Sequence, residues 1–190
     1  RAITYAQLTG CPILHHPEDQ ILINDGVMNE SEIATRLGLK PSPPIAEPIM
    51  IARDLALLDY YGHDKVHLHI GPITTEASVK LIADAKEKGL KVTCDTAHYY
   101  FSLTEMDIMN YRSFTKLSPP LRSDKDRMAI INAIKEGIID MIASDHIPQD
   151  TESKRLPFDQ ASFGAIGLET SLSTSLMMAQ NHDLSLNELF

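Results

Sequence analysis

The residues able to do chemistry in this chain are histidines and carboxylates that recur after short apolar runs. His15 and His16 follow Pro12-Ile13-Leu14, and His67 and His69 lie within 66–70. Asp95 and His98 stand around the end of 90–96, and Asp145 and His146 follow Met141-Ile142-Ala143. If those runs are parallel strands, their C-terminal ends open on one side. Imidazoles and carboxylates converging there are the makings of a mononuclear or binuclear zinc site. Such a metal polarises a carbonyl and lowers the pKa of a bound water, with Asp145 moving protons as general base and acid. A plainer reading competes at every position: an aspartate after a strand often only turns the chain, and a buried histidine is usually a satisfied core group. His67 and His69, on one strand face, fit the plainer reading; His16 taken with Asp145 fits the site.

Other chemistries find less support. No G-x-S-x-G nucleophile elbow occurs, and no G-x-G-x-x-G or Walker sequence follows a strand. Cys11 and Cys94 neither stand beside a histidine nor have metal-ligand spacing.

Positioning these groups requires alternating strands and helices. A helix ends at Gly10, and a strand over 12–16 follows. The region 21–44 is mostly loop with one short helix over 31–37, and the prolines at 41, 43 and 44 make a rigid connector. A long helix over 46–61 is expected to turn Ala52, Leu55 and Ala56 to one face. Then come a strand over 66–70, a helix over 75–88 with Val79, Ile82 and Ala83 inward, and a strand over 90–96. Ser102 and Glu105 suggest a capping box for a short helix reaching Asn110, and 114–117 is expected to be extended. Ser123 caps a helix that carries Ile130, Ile131 and Ile134 as far as Gly137. Met141-Ile142-Ala143 is expected to be a strand buried on both faces, stopped by Pro148. A polar loop over 149–159, a helix over 166–180 and one more helical start at 187–190 complete the chain. Four strand–helix units of this size imply parallel pairing and an α/β architecture, either half of an eightfold barrel or a small doubly wound sheet. Half a barrel has two raw edges, so its other half is expected upstream or from another chain.

Composition narrows the class. At 190 residues, 43% hydrophobic and 23% charged, the chain suits one globular domain or part of one. A net charge of −9 argues against nucleic-acid or anionic-membrane partners. Two cysteines make no disulfide framework, so a reducing cytoplasm is the expected location.

Several stretches in order carry a family resemblance: His16-Pro17-Glu18-Asp19, Gly26-Val27-Met28-Asn29-Glu30, Arg36-Leu37-Gly38-Leu39 and Ile51-Ala52-Arg53-Asp54. Further on stand Ser118-Pro119-Pro120-Leu121-Arg122, Ile142-Ala143-Ser144-Asp145-His146 and Phe163-Gly164-Ala165-Ile166-Gly167-Leu168-Glu169-Thr170. In these the chain resembles the dihydroorotases of the amidohydrolase superfamily, zinc-dependent (β/α)8 barrels that interconvert carbamoyl aspartate and dihydroorotate in pyrimidine synthesis. The resemblance implies the C-terminal half of such a TIM barrel, strands five to eight. Residues 1–190 would form part of a single barrel domain, with the N-terminal strands and a small flanking β-domain outside this chain. It implies that His16 is a zinc ligand, that Asp145 is both ligand and general acid/base, and that Ser118, Gln149 and Gly164 border the substrate. Zinc, one ion or two, dihydroorotate or carbamoyl aspartate, a homo-oligomer and an assembly with aspartate carbamoyltransferase come with it.

The departures bear on activity. The second histidine of the family's H-x-x-H is here Pro72, which cannot bind a metal. Ser118 replaces an asparagine before the Pro-Pro-Leu-Arg run. Gln149 replaces a histidine facing the substrate carboxylate, and Ser162 stands where proline is usual. Two readings follow: a dihydroorotase with a degenerate site, or a catalytically silent relative kept as a structural partner of aspartate carbamoyltransferase.

Overall fold

A computed structural model describes residues 1–62 and 65–189, with the backbone alone at Glu188. Of the helical start expected at 187–190, the described part is the helix Leu186–Leu189; Phe190 lies outside the described residues.

Four strands make the main sheet: β1 (Ile13–His15), β4 (Leu68–Ile70), β5 (Val92–Ala97) and β6 (Met141–Ala143). They lie side by side in chain order and all pair parallel. A two-residue parallel pair, β2 (Met28–Asn29) and β3 (Pro41–Ser42), stands apart inside the stretch expected to be loop. Sequence periodicity could not show strands this short.

Side-chain alternation gives the sheet two unlike faces. Leu68, Ile70, Val92 and Cys94 face the helices Ala46–Tyr61, Glu76–Glu87 and Asp124–Lys135, which contribute Ile51, Leu58, Ile82, Ile130 and Ile131 to one core. Ile70, Ile82 and Ile130 are fully enclosed, each contributing roughly 1.5–3 kcal/mol by burial. The other face presents Leu14, His69, Thr93 and Asp95, and it is open: Leu14 is 73% exposed. The expectation of a last strand covered on both faces therefore fails. β6 is a sheet edge with Met141 half exposed, because nothing among the described residues packs on its open face.

Local chemistry sets the element ends. Ser31, Thr75 and Ser123 accept backbone N–H bonds as N-caps, each cap worth about 1 kcal/mol. The expected capping box shifts by two residues: Thr104 and Asp107 form it for the 3-10 turn Glu105–Ile108, while the Ser102 hydroxyl donates back to the His98 carbonyl. The stretch 114–117, expected to be extended, begins as a 3-10 turn, Ser113–Thr115. On the long helix the inward face is Ile51, Leu55 and Leu58, and Ala52 and Ala56 are exposed. The longer side chains bury more apolar area and so win the core face. Ala85, one turn beyond Ile82, is the buried alanine of its helix in place of Ala83. The loop over 149–159 includes a helical turn, Thr151–Arg155, capped by Asp150. Among the described residues no helix is long and apolar enough to cross a membrane.

Candidate functional site

The end of β1 and the loop that carries Ser118 meet on one buried carboxylate, Glu18. After β1 the chain turns at Pro17 and brings Glu18 back onto His16, with Nε2 and Oε2 2.9 Å apart. The same Oε2 accepts the Ser118 hydroxyl at 2.8 Å, so residues a hundred positions apart meet on one oxygen. Glu18 is buried and His16 is half exposed. The Glu18 hydrogen bond raises the His16 pKa above its ordinary value; burial opposes this, and the charges of Glu18, Asp145 and Glu47 reinforce it.

Asp145 sits just past β6 with φ 44, a left-handed backbone that costs a non-glycine residue about 1–2 kcal/mol. Such strain at a strand end accompanies functional positioning more often than chance. Burial raises the Asp145 carboxyl above the usual range; the charge of His16 pulls it down and that of Asp95 pushes it up. His16 and Asp145 thus lie near enough for the charge of each to shift the other.

Asp95 ends a line of hydrogen bonds along the open face. His67 Nε2 lies 2.7 Å from Thr93 Oγ1, His69 Nδ1 lies 2.9 Å from that oxygen, and His69 Nε2 lies 2.8 Å from Asp95 Oδ2. These two histidines are satisfied groups, but side chains satisfy them, not the backbone. His15 turns the other way and pairs with Asp54 on the long helix. His98 begins a buried helical turn, where burial lowers its pKa and Nε2 meets the Thr170 hydroxyl at 3.0 Å. The imidazole of His146 accepts the Gly167 N–H at 3.1 Å and so caps the helix Leu168–Asn181.

Behind this shell, Glu47 is fully buried and accepts the Thr74 and Thr75 N–H groups at 2.9 and 3.1 Å and both threonine hydroxyls. Arg122 donates to Thr74 Oγ1 and Asn29 Oδ1 and lies 3.7 Å from Glu47. That network fixes the run that presents Ser118.

Of the residues singled out from sequence, His16 and Ser118 meet on Glu18, and Asp145 lies near enough to His16 for their charges to interact. Gly164 is buried beside the strand end that carries Asp145, accepting no Cβ because Ile147 O would lie 2.6 Å from it. Gln149 is exposed on the following loop. Sequence reasoning missed Glu18 as the common acceptor; the signal was the two-residue spacing from His16 across a proline. It also missed Tyr99, whose buried hydroxyl has no hydrogen-bond partner among the described residues and is pushed up to about 12 by burial and the charge of Asp145.

A zinc centre can be tested against these groups. His16 Nε2 is engaged by Glu18, both ring nitrogens of His69 are engaged, and Pro72 offers no donor. Among the described residues no three His, Cys, Asp or Glu side chains are arranged to hold a metal ion. The donors of this chain alone do not fit such a centre.

No protein-family profile matches the chain. It is 45% identical over 189 residues to a dihydroorotase of Desulforapulum autotrophicum, covering 100% of this chain and 44% of that protein. It is 43% identical over 189 residues to a dihydroorotase of Ehrlichia chaffeensis, covering 42% of it. Among solved structures, an L-hydantoinase (dihydropyrimidinase) from Arthrobacter aurescens superposes with a TM-score of 0.84 at 25% identity, over 98% of this chain and 42% of that one. The dihydroorotase of Saccharomyces cerevisiae in complex with 5-fluoroorotic acid gives 0.77 at 15% identity, over 99% of this chain and 49% of that one, a likeness of fold. The chain spans less than half the length of the curated relatives it matches, and its structural neighbours are amidohydrolase barrels of which it covers a part. Over its whole length the chain is thus similar in sequence to proteins named dihydroorotase, at 40–45% identity, and similar in fold to hydantoinases and a dihydroorotase of the amidohydrolase superfamily.

Proposed function

We propose that this chain is the strand-five-to-eight half of a dihydroorotase-type barrel, and that the protein it belongs to is a cyclic amidohydrolase with a degenerate site, interconverting dihydroorotate and carbamoyl aspartate. The observation that carries this reading is the strand-end carboxyl of Asp145, held in left-handed backbone, raised by burial and within reach of the charge of His16. A carboxyl of raised proton affinity is suited to take a proton from the attacking water and return it to the departing ring nitrogen. Ser118, Gln149 and Gly164 would border the substrate. Ser118 is committed to Glu18 in this arrangement and reaches less far than an asparagine there would. In the family zinc is the Lewis acid; the pattern here supports at most His16 and Asp145 as its ligands from this half. The open sheet face with Leu14 and Met141 exposed favours a barrel completed by further strands.

A second reading rests on Pro72 and on the His16–Glu18 pair, which engages Nε2 of the imidazole within the chain. In it the protein is a silent structural partner of aspartate carbamoyltransferase. The test is zinc determination and dihydroorotate hydrolysis on the full-length protein. Stoichiometric metal with turnover abolished by Asp145→Asn supports the enzyme. Absence of turnover, with co-purification of the transcarbamoylase, supports the partner. Asp145→Asn is also expected to leave folding stability at neutral pH unchanged or higher. A carboxyl pKa raised in the folded state contributes stability below its unfolded value and loses it as pH rises through the folded one, so the charge carries a cost at pH 7.

A further inference from the structure

Two lysines outside this site have no role in it, yet they are almost wholly enclosed: Lys116 is 2% exposed and Lys154 is 6% exposed. Lysine is rarely buried without a carboxylate partner, and among the described residues neither ammonium has an ion pair. Both are satisfied by backbone carbonyls. Lys154 Nζ donates to Ser162 O at 2.7 Å and Gly164 O at 2.8 Å, the two carbonyls that flank Phe163. Lys116 Nζ donates to Asp159 O at 3.0 Å and stands 4.5 Å from the centre of the Phe163 ring. The Lys116 carbonyl accepts the Gly164 N–H at 2.9 Å. Phe163-Gly164 is therefore gripped through both its backbone and its ring.

The gripped segment runs directly into the strand end. Ala165 bridges His146 in parallel, and its carbonyl accepts the Ile147 N–H at 2.9 Å. Gly164 adopts φ 109 with no space for a Cβ beside Ile147, so the segment fits against 145–147 in one arrangement. We propose that Lys116 and Lys154 are positioning residues, a paired clamp that holds Phe163-Gly164 against the backbone carrying Asp145. Burial lowers the pKa of both, and for Lys154 the nearby charge of Lys116 adds to it. This is the cost expected for ammonium groups kept dry to bind carbonyls. The consequence for a substrate rests on the proposed function; the clamp itself does not.

The test is amide hydrogen exchange on the full-length protein. Lys154→Met is expected to speed exchange at Gly164 and Ile147 by at least about tenfold, the loss of charge-assisted bonds to two carbonyls. Amides of β5 should stay within about twofold, and Lys154→Arg, which keeps a cationic donor, should restore most of the protection. Lys116→Met, which retains the carbonyl but not the ammonium, should give a smaller rise at Gly164. Unchanged exchange at Gly164 and Ile147, an equal rise throughout β5, or no rescue by arginine would overturn the clamp. If Lys154→Met does not fold, Lys116→Met decides by the same readouts. Absent dihydroorotate turnover in the unaltered protein counts against the proposed function alone, since exchange is measured without substrate.

Discussion

Replacing Glu47 tests whether the polar layer behind the strand ends holds the site together. Its carboxylate is fully buried and takes four donors from Thr74 and Thr75, and it lies 3.7 Å from the guanidinium of Arg122, itself 3% exposed. In Glu47→Ala the two amides lose their acceptor, about 1–3 kcal/mol for each group left buried and unmatched. Breaking a buried charge pair from one side costs about 3–5 kcal/mol. The groups share atoms, so these figures overlap, and a total near 4 kcal/mol is expected. That is a large fraction of the ~5–15 kcal/mol by which a folded domain is usually stable. Glu47→Gln can keep its oxygen on the two amides, which share Oε1, but sets an NH2 against Thr74 Oγ1 and removes the charge beside Arg122, and about half the loss is expected. Urea unfolding of the full-length protein reads both. In the Arg122→Met background Glu47→Ala should cost less, by about 1 kcal/mol or more, because no guanidinium is then stranded. A loss under about 1 kcal/mol for Glu47→Ala, or strict additivity with Arg122→Met, would refute the reasoning: the network would then be incidental to holding the run that presents Ser118.

Gly71→Ala places a Cβ against the Asp95 carboxylate, so Asp95 must leave His69 or the backbone must shift; a loss of about 1–3 kcal/mol is expected, read by denaturant unfolding, and unchanged stability would show that Asp95 moves freely. Glu18→Gln removes the largest cause of the raised His16 pKa, so an NMR titration should find His16 ionising at lower pH than in the unaltered protein. The sign for stability follows from that raised value. The His16–Glu18 pair contributes fully below the unfolded histidine pKa and loses its contribution as pH rises through the folded one, so Glu18→Gln should cost most at mildly acid pH. A His16 titration unmoved by Glu18→Gln would place the cause elsewhere.

How much was legible in advance differs by element. The helices Ala46–Tyr61 and Asp124–Lys135 and the parallel order of the sheet followed from period, capping residues and regular strand–helix spacing, which are local properties. The pair Met28–Asn29 with Pro41–Ser42, the turn at Ser113–Thr115 and the open side of β6 did not, because short pairings and burial depend on what packs opposite.

The same division runs through the site. Residue types and motif order in this sequence determined the dihydroorotase resemblance, the candidates His16, Ser118 and Asp145, and the proline at position 72. Only tertiary structure brought His16 and Ser118 onto one oxygen of Glu18, lined His67, Thr93, His69 and Asp95 along the open face, and turned two buried lysines toward backbone carbonyls. The reason is physical: a side chain's chemistry is carried by its own atoms, whereas its partners are chosen by a fold that joins residues distant in the chain.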